Sequence, residues 1–276
     1  MKHLIALFIM ALATTTATAK TEGKYAKVNG INMYYEVCGE GKPLVLIHGA
    51  ASTIQTTFGR VLPLFAQKHK VIAVELQIHG HTSDRNAPLS FEQDAEDVAE
   101  LLKQLGIKNA DVMGFSNGGT TTMYLAARHP DLVNKIVIAS GMYKHNGVPD
   151  AFWEGMKTPK LSDMPQVYQD EYKRVAPKPE LLDTMFIKCA QRMQTFKDMP
   201  AEDVAAIKAP SLIIIGDKDV PTPEHAVEMY HTLPHSSLII LPGFHGDYIG
   251  EIANLKNSND QYKLVVPMIE HFLSAE

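Results

Sequence analysis

Short apolar runs alternate with longer amphipathic stretches through most of the chain. Six runs have the near-continuous Val, Ile and Leu content of strands that are covered on both faces. These runs are PLVLIHG (43–49), VIAVEL (71–76), ADVMGFS (110–116), NKIVIAS (134–140), SLIIIGD (211–217) and SLIILPG (237–243). Because helical stretches separate them, the pattern predicts an α/β protein: a mostly parallel central sheet with helices on both faces.

The segment 24–40 has a different pattern, in which polar and apolar residues alternate on either side of Asn29-Gly30. Asn-Gly between alternating segments is a strong signal for a two-residue turn. We therefore expect the sheet to have about eight strands and to begin with an antiparallel hairpin.

Helical periodicity is clearest over 90–106, where Ser90 and Gln93 form a capping-box pattern and Gly106 marks the end. Three more helices are predicted, over 118–130, 223–234 and 260–273.

The alternation stops between about 142 and 205, where no run has the character of a strand. This stretch contains the only tryptophan, Trp153, and is rich in methionine. We expect a helical cap inserted after the sixth strand, over the edge of the sheet where parallel sheets bind ligands.

The first twenty residues have the layout of a secretory signal peptide. A basic start at Lys2 is followed by an apolar run over 4–13 and by an A-x-A cleavage pattern at 17–19. We expect residues 1–19 to be removed, leaving 20–276 as one exported domain, periplasmic or secreted. The apolar run is short for a stable membrane anchor, although an uncleaved N-terminal anchor is the alternative.

The formal net charge is −5, and lysines and arginines form no stripe, so no nucleic-acid partner is expected. The chain has two cysteines, Cys38 and Cys189, which excludes a disulfide framework. One bridge between them stays open, although two half-buried free thiols are favoured, and the oligomeric state stays open as well.

The sequence GFSNG (114–118) places one serine among glycines where a predicted strand becomes a helix. A G-x-S-x-G pattern in this context is typical of a tight turn that exposes the serine hydroxyl. The glycines remove side chains that would clash in such a turn. Ser116 is therefore the predicted nucleophile.

A serine nucleophile needs a base and a group that orients the base. His245 follows one predicted strand, and two aspartates, Asp217 and Asp219, follow another, with Asp219 the better candidate. Because these segments all lie at the carboxyl edge of one parallel sheet, Ser116, Asp219 and His245 can converge.

An oxyanion formed at a carbonyl needs preorganised N–H donors. The backbone N–H of Asn117 is one candidate by its position after Ser116. The second is expected from the loop after the strand at 43–49, with Ala50 preferred and Ala51 the alternative. His48 is expected to hold that loop by hydrogen bonding.

These motifs resemble the α/β-hydrolase superfamily, specifically its single-domain serine hydrolases with a helical cap. The likeness is carried by LIHG (46–49), GFSNGG (114–119), GDKD (216–219) and GFHG (243–246). The resemblance implies Ser116 as nucleophile, His245 as base, Asp219 as acid, and the Ala50 and Asn117 N–H groups as the oxyanion hole.

The chain departs from the family after the strand at 71–76, where Ile78 occupies a place at which glycine is common. This puts the local backbone in question. His79 and His81 in this loop could suggest a metal site, but a third ligand is not evident, so no metal is expected.

Serine at the nucleophile position favours acyl transfer without a cofactor. Carboxylic esters of small to medium size are the expected substrates. An apolar pocket is expected from His48, Met142, Phe152, Trp153 and Phe186.

Several alternatives remain. The family also includes aminopeptidases, lactonases and C–C bond hydrolases, and an aminopeptidase would need acidic residues such as Glu154, Asp163 or Glu171. Acyl transfer to an alcohol is a further alternative, and a ligand receptor without turnover represents a different class.

Overall fold

The structure is a computed structural model that describes residues 22–254 and 260–275. The predicted signal peptide, residues 1–19, lies outside the described residues.

Eight strands form one sheet in the order β1-β2-β4-β3-β5-β6-β7-β8. β1 pairs antiparallel with β2, β2 pairs antiparallel with β4, and the remaining neighbours are parallel. The predicted α/β class, opening hairpin and mostly parallel sheet are confirmed. The strands are β1 Glu22–Val28, β2 Ile31–Cys38, β3 Lys42–Ile47, β4 His69–Val74, β5 Ala110–Phe115, β6 Val133–Ala139, β7 Ser211–Gly216 and β8 Ser236–Leu241.

Each of the six parallel strands ends one or two residues before the end of the apolar run that predicted it. The residues left over turn away from the ladder and build the loops at the carboxyl edge. Ser116, Ser140 and Asp217 are such residues, each standing directly after the last residue of its strand.

Ten α-helices lie within the described ranges. They are α1 Ile54–Phe58, α2 Leu62–Phe65, α3 Phe91–Gln104, α4 Asn117–Arg128, α5 Asp150–Lys157, α6 Gln166–Val175, α7 Leu182–Gln194, α8 Ala201–Ala205, α9 Pro223–Thr232 and α10 Tyr262–Ser274. No helix in these ranges combines the length and apolarity needed to cross a bilayer.

The capping box predicted for α3 forms only in part. Ser90 Oγ accepts the N–H of Gln93, but the Gln93 side chain donates to Asp97 instead of returning to Ser90.

The strands bury both faces, which explains their continuous apolar content. In β3, Val45 and Ile47 pack into a cluster with α3, α4 and α9, whereas Leu44 and Leu46 pack into a second cluster with α1 and α10. Alternate residues of one strand therefore hold helices on opposite sides of the sheet.

The insertion between β6 and β7 is helical, as expected, and contains α5 to α8. Its helices α6 and α7 pack over Ile78 and Leu89 from the loop after β4. The last of the four, α8, belongs to the body of the protein, because Val204 packs into the cluster beneath the sheet. The segment that covers the carboxyl edge is therefore α5 to α7, which we call the cap.

Cys38 and Cys189 are both buried and free, and they lie in separate apolar clusters. The alternative of a bridge between them is therefore wrong for this fold.

The turn from β5 into α4 leaves no room for side chains at two glycines. A Cβ on Gly114 would lie 1.9 Å from the carbonyl oxygen of Gly118, and a Cβ on Gly118 would lie 2.1 Å from that of Ile47. Because the obstacles are backbone atoms, they cannot move aside as a flexible side chain would. The glycines let α4 start directly against the end of β3.

We expect Gly114→Ala to lower the free energy of unfolding by about 3 kcal/mol or more, since the added methyl overlaps fixed backbone. Gly155→Ala is the matched control, because Gly155 lies in α5 and a Cβ there meets nothing within 4 Å. The control should be neutral or stabilising by up to about 1 kcal/mol. Urea unfolding measures both, and equal effects of the two substitutions would contradict this account of the turn.

Candidate active site

A cavity of about 450 Å³ lies between the cap and the carboxyl edge of the sheet. Its wall includes Ser116, Asn117, Ala50 and His245. Such a volume is in the range of small-molecule sites.

Three of the expected pocket residues, Met142, Phe152 and Phe186, line this cavity, whereas Trp153 and His48 do not. Trp153 is instead part of the cap's own packing, where its ring stacks on His145 and its Nε1–H donates to the His145 carbonyl. The indole N–H needs an acceptor when it is buried, and His145 supplies one away from the cavity. The expectation that Trp153 and His48 line the substrate pocket is therefore wrong.

Ser116 occupies the strained position that the glycine pattern indicates. Its φ is +54°, which is unusual for a residue with a side chain. Its N–H donates to Ala139 in the neighbouring strand at 2.8 Å, and its carbonyl accepts the N–H of Gly119 at 2.8 Å. The backbone at Ser116 is therefore fixed from both sides, at the N-terminus of α4.

His245 and Asp219 are joined by a short hydrogen bond. His245 Nδ1–H donates to Asp219 Oδ1 over 2.5 Å. In a neutral imidazole, a proton on Nδ1 leaves the lone pair on Nε2 free to accept a proton.

The side chain of Asp219 is fully buried and accepts three further hydrogen bonds. The donors are the N–H of Val220, the N–H of Gly216 and the hydroxyl of Ser140. Burial alone would raise the pKa of Asp219, but His245, the Ser140 hydroxyl and the Gly216 N–H more than offset it, so the pKa lies below its usual value. The carboxylate is therefore ionised at neutral pH and stabilises positive charge on the imidazole.

Ser140 and Tyr248 complete this support, and sequence reasoning missed both. Ser140 Oγ lies 2.6 Å from Asp219 Oδ2 and 2.6 Å from Tyr248 Oη. Ser140 also has a positive φ, +52°. Its place directly after β6 was the available signal, because that is the edge at which Ser116 and Asp219 also lie.

The structure separates the two aspartates of the GDKD motif. Asp217 accepts the N–H of Gly243 at 2.9 Å and so joins the loop that carries His245. Asp219 is the one that contacts the His245 ring.

Ser116 and His245 line the same cavity, and the ring of Phe115, next to Ser116, lies 4.7 Å from the His245 ring. Within residues 22–254 and 260–275, the two side chains form no direct hydrogen bond. In enzymes without bound substrate, catalytic hydrogen bonds are often long and tighten only on binding.

The loop after β3 passes directly beside Ser116: a Cβ on Gly49 would lie 3.3 Å from the Ser116 Cβ. The Gly49 carbonyl accepts hydrogen bonds from His48 Nδ1–H at 2.7 Å and from Ser52 Oγ at 2.8 Å. His48 is fully buried, and its Nε2 accepts the N–H of Leu76. His48 therefore lies behind this loop, where it joins β3 to the end of β4.

The amides of this loop differ in their availability. The N–H of Ala51 donates to His79 Nε2 at 3.1 Å. In the described part of the chain, the N–H groups of Ala50 and Asn117 have no protein acceptor. Of the two alternatives for the second oxyanion donor, the geometry leaves Ala50 available and Ala51 occupied.

The cap is joined to the His245 loop at the side of the cavity. Tyr168 in α6 lines the cavity and donates its hydroxyl to Glu251 Oε1 at 2.5 Å. The Asn254 side chain donates to the His245 carbonyl. Sequence reasoning missed these contacts as well, because they join segments that are distant along the chain.

Residues 42–197 match the α/β-hydrolase fold family. The chain belongs to this family. The match covers more than half of the chain and includes β3, the turn at Ser116 and the cap.

Curated relatives in this family align over most of the chain. The human serine hydrolase BPHL is 28% identical over 249 residues, which cover 83% of this chain and 81% of that protein. A putative non-heme chloroperoxidase of Synechocystis sp. is 26% identical and covers 77% of this chain and 87% of its own. Among solved structures, a serine hydrolase involved in carbazole degradation has a TM-score of 0.76 at 20% identity, covering 92% of this chain and 99% of its own.

Within this α/β-hydrolase chain, hydrogen bonds of its own side chains hold the loop after β4, where the sequence departs from the family pattern. Ile78 has a φ of +64°, so the residue that replaces the common glycine still adopts the left-handed conformation. His81 contacts Glu75 at 3.0 Å, and His79 contacts Gln77 and Ala51. In the residues that the structure describes, no cluster of His, Cys, Asp and Glu has the arrangement of a metal site.

His79 is buried and neutral. Burial lowers its pKa well below the usual value, and the neighbouring His48 and Arg192 act in the same direction, while the hydrogen bond to the Gln77 carbonyl opposes them. Cys189 of the cap also faces the ring, with Sγ 3.3 Å from Nε2.

This neutrality predicts a pH effect on stability. Unfolded His79 binds a proton below a pH of about 6.5, whereas folded His79 does not. Its contribution to the free energy of unfolding is therefore complete above that pH and is lost as the pH falls. The free energy of unfolding of the wild-type protein should therefore fall more steeply below pH ~6.5 than that of His79→Gln. We expect the two slopes to differ by about 1.4 kcal/mol per pH unit.

Urea unfolding between about pH 8 and pH 5 measures this slope. The matched control is His231→Gln, at an exposed imidazole, which should leave the slope of the wild-type protein unchanged. Parallel curves for wild type and His79→Gln would show that folded His79 binds its proton normally, contrary to this prediction.

Proposed function

We propose that the protein is a serine hydrolase that cleaves carboxylic esters of small to medium size through an acyl-enzyme on Ser116. Its membership of the α/β-hydrolase family supports hydrolase activity in general. The ester assignment rests chiefly on one observation: His245, which has a short hydrogen bond to Asp219, lines the same cavity as a serine at a strained turn.

In the proposed reaction, Ser116 Oγ attacks the ester carbonyl carbon while His245 Nε2 takes the hydroxyl proton. The carbonyl oxygen becomes an oxyanion, which the free N–H groups of Ala50 and Asn117 are positioned to bind. The ionised Asp219 stabilises the imidazolium. The tetrahedral intermediate then breaks its bond to the alcohol oxygen, and His245 returns the proton to the departing alcohol.

The second half of the reaction reverses these roles with water. His245 takes a proton from water as its oxygen attacks the acyl carbon, and the same donors hold the second oxyanion. When the bond to Ser116 breaks, His245 gives its proton back to Oγ, and the carboxylic acid leaves.

The cavity wall supports neutral, apolar substrates. It is formed largely by apolar side chains. Among the described residues, Asp163 is the one carboxylate in this wall, and its side chain accepts the N–H of Lys160 at 2.8 Å. Glu154 and Glu171, the other candidates for gripping a substrate amine, pair with Lys157 and Arg174 away from the cavity. These contacts favour an ester over an aminoacyl substrate.

We also propose, from its N-terminal sequence, that the protein is exported. Expressed in a bacterial host, the full chain should be recovered from the periplasm or medium with Lys20 as its first residue. N-terminal sequencing checks this. Recovery of the protein with Met1 intact would contradict it.

Ser116→Ala is expected to lower ester turnover by about 10⁴-fold or more, and His245→Ala by nearly as much, because either change removes the proton-coupled nucleophile. The fold should be unchanged. Ser237→Ala, at an exposed serine on β8, is the matched control and should retain wild-type turnover.

The measurement is labelling with a fluorophosphonate, followed by rates on a panel of chromogenic esters, lactones and aminoacyl anilides. Wild type should be labelled on Ser116 and should turn over esters fastest. Full ester hydrolysis by Ser116→Ala would refute the proposal. A single slow event without turnover would instead indicate a receptor, and product that requires an added alcohol would indicate acyl transfer.

A further inference from the structure

Both ring nitrogens of His79 are engaged, and their partners fix its tautomer. Nδ1 lies 2.9 Å from the Gln77 carbonyl oxygen, which can only accept, so Nδ1 carries the proton. Nε2 is then an acceptor, and the N–H of Ala51 donates to it at 3.1 Å. His79 is 1% exposed, so water does not compete for these contacts.

Ala51 is in a conformation that needs support. Its φ is +56°, which an alanine adopts only at a cost. The hydrogen bond to His79 holds the peptide group between Ala50 and Ala51, because that group contains the donating N–H.

The preceding peptide group is held as well. It contains the Gly49 carbonyl, which accepts from His48 and Ser52, together with the N–H of Ala50. In a trans peptide, C=O and N–H point in opposite directions. Both peptide groups that flank the Ala50 Cα are therefore fixed: one by His48 and Ser52, the other by His79.

We propose that His79 is a positioning residue of the oxyanion hole, whose Nε2 holds Ala51 and thereby aims the Ala50 N–H at the oxyanion. The inference rests on the proposed function. It gives a role to the loop in which this chain departs from its family pattern, since Ile78, with its positive φ, directly precedes His79 in that loop.

Without His79, the Ala51 N–H would have only a weak acceptor nearby. Cys189 Sγ lies close to both His79 and Ala51, but a thiol is a weak acceptor. The Ala50–Ala51 peptide group would then be free to rotate. The Ala50 N–H would be held only through the Gly49 carbonyl, because the Ala50 Cα would lose the second of its two fixed sides. A displaced donor weakens transition-state binding more than substrate binding.

Three variants separate this role from general packing. His79→Phe fills the volume but provides no acceptor. His79→Asn keeps an amide near the Gln77 carbonyl but is too short to reach Ala51. His79→Gln places an amide oxygen near the position of Nε2 and can accept the Ala51 N–H.

His225 offers a matched control away from the cavity. It is also buried, and its Nε2 also accepts a backbone N–H, that of Tyr143, at 3.2 Å. His225→Phe therefore makes the same chemical change at a site that does not line the cavity.

The experiment measures kcat and KM on a chromogenic ester, the affinity for an aryl trifluoromethyl ketone, and stability in urea. A trifluoromethyl ketone forms a tetrahedral adduct whose oxyanion needs the same donors as the transition state. We expect His79→Phe and His79→Asn to lower kcat by about 10- to 100-fold, with KM within about 2-fold, and to weaken ketone binding by the same factor as kcat/KM. His79→Gln should recover to within about 5-fold of wild type, and His225→Phe should lose stability but keep kcat within about 2-fold.

Wild-type kcat and ketone affinity in a folded His79→Phe or His79→Asn would overturn the proposal. If His79→Phe does not fold, the pair His79→Asn and His79→Gln decides: equal losses in both would contradict the acceptor role. Ser116→Ala separates failure of the hydrolase mechanism from failure of the positioning role. Activity in Ser116→Ala refutes the hydrolase mechanism. Fully active His79 variants, with Ser116→Ala inactive, refute only the positioning role.

Discussion

The hydrogen bond between His245 and the enclosed carboxylate of Asp219 is the interaction on which the site depends. An ionised carboxylate away from water needs donors, and Val220, Gly216 and Ser140 supply them alongside the imidazole. Gly216 ends β7 and Ser140 directly follows β6, so the edge of the sheet holds the acid in place. The charge is stabilised before any substrate arrives, which is the preorganisation that acyl transfer requires.

The cap and the sheet build the remaining parts of the site together. The sheet edge supplies the polar groups, and the cap supplies most of the apolar wall, including Phe152 and Phe186. Tyr168 connects the cap to Glu251 beside the His245 loop, and Cys189 connects it to His79 behind the loop after β3. Both links meet the sheet at loops that the proposed chemistry uses, so the position of the cap and the geometry of the site are coupled.

Much of the fold could be predicted from the sequence because its signals are local. A strand buried on both faces must be apolar throughout, and a turn as tight as that at Ser116 must place glycine at 114 and 118. Ser140, Tyr248 and Glu251 could not be predicted, because their roles depend on neighbours that only the folded chain brings close. Trp153 was misplaced for a related reason: composition identifies a residue as apolar, but only packing decides whether it faces a cavity or the interior of the cap.

The most direct test of the central claim is the crystal structure of the protein after reaction with an aryl phosphonate. The account predicts phosphorus bonded to Ser116 Oγ, a phosphonyl oxygen within about 3 Å of the Ala50 and Asn117 nitrogens, and His245 Nε2 within hydrogen-bonding distance of the adduct. Phosphorus on another residue, or a phosphonyl oxygen turned away from both amides, would contradict it.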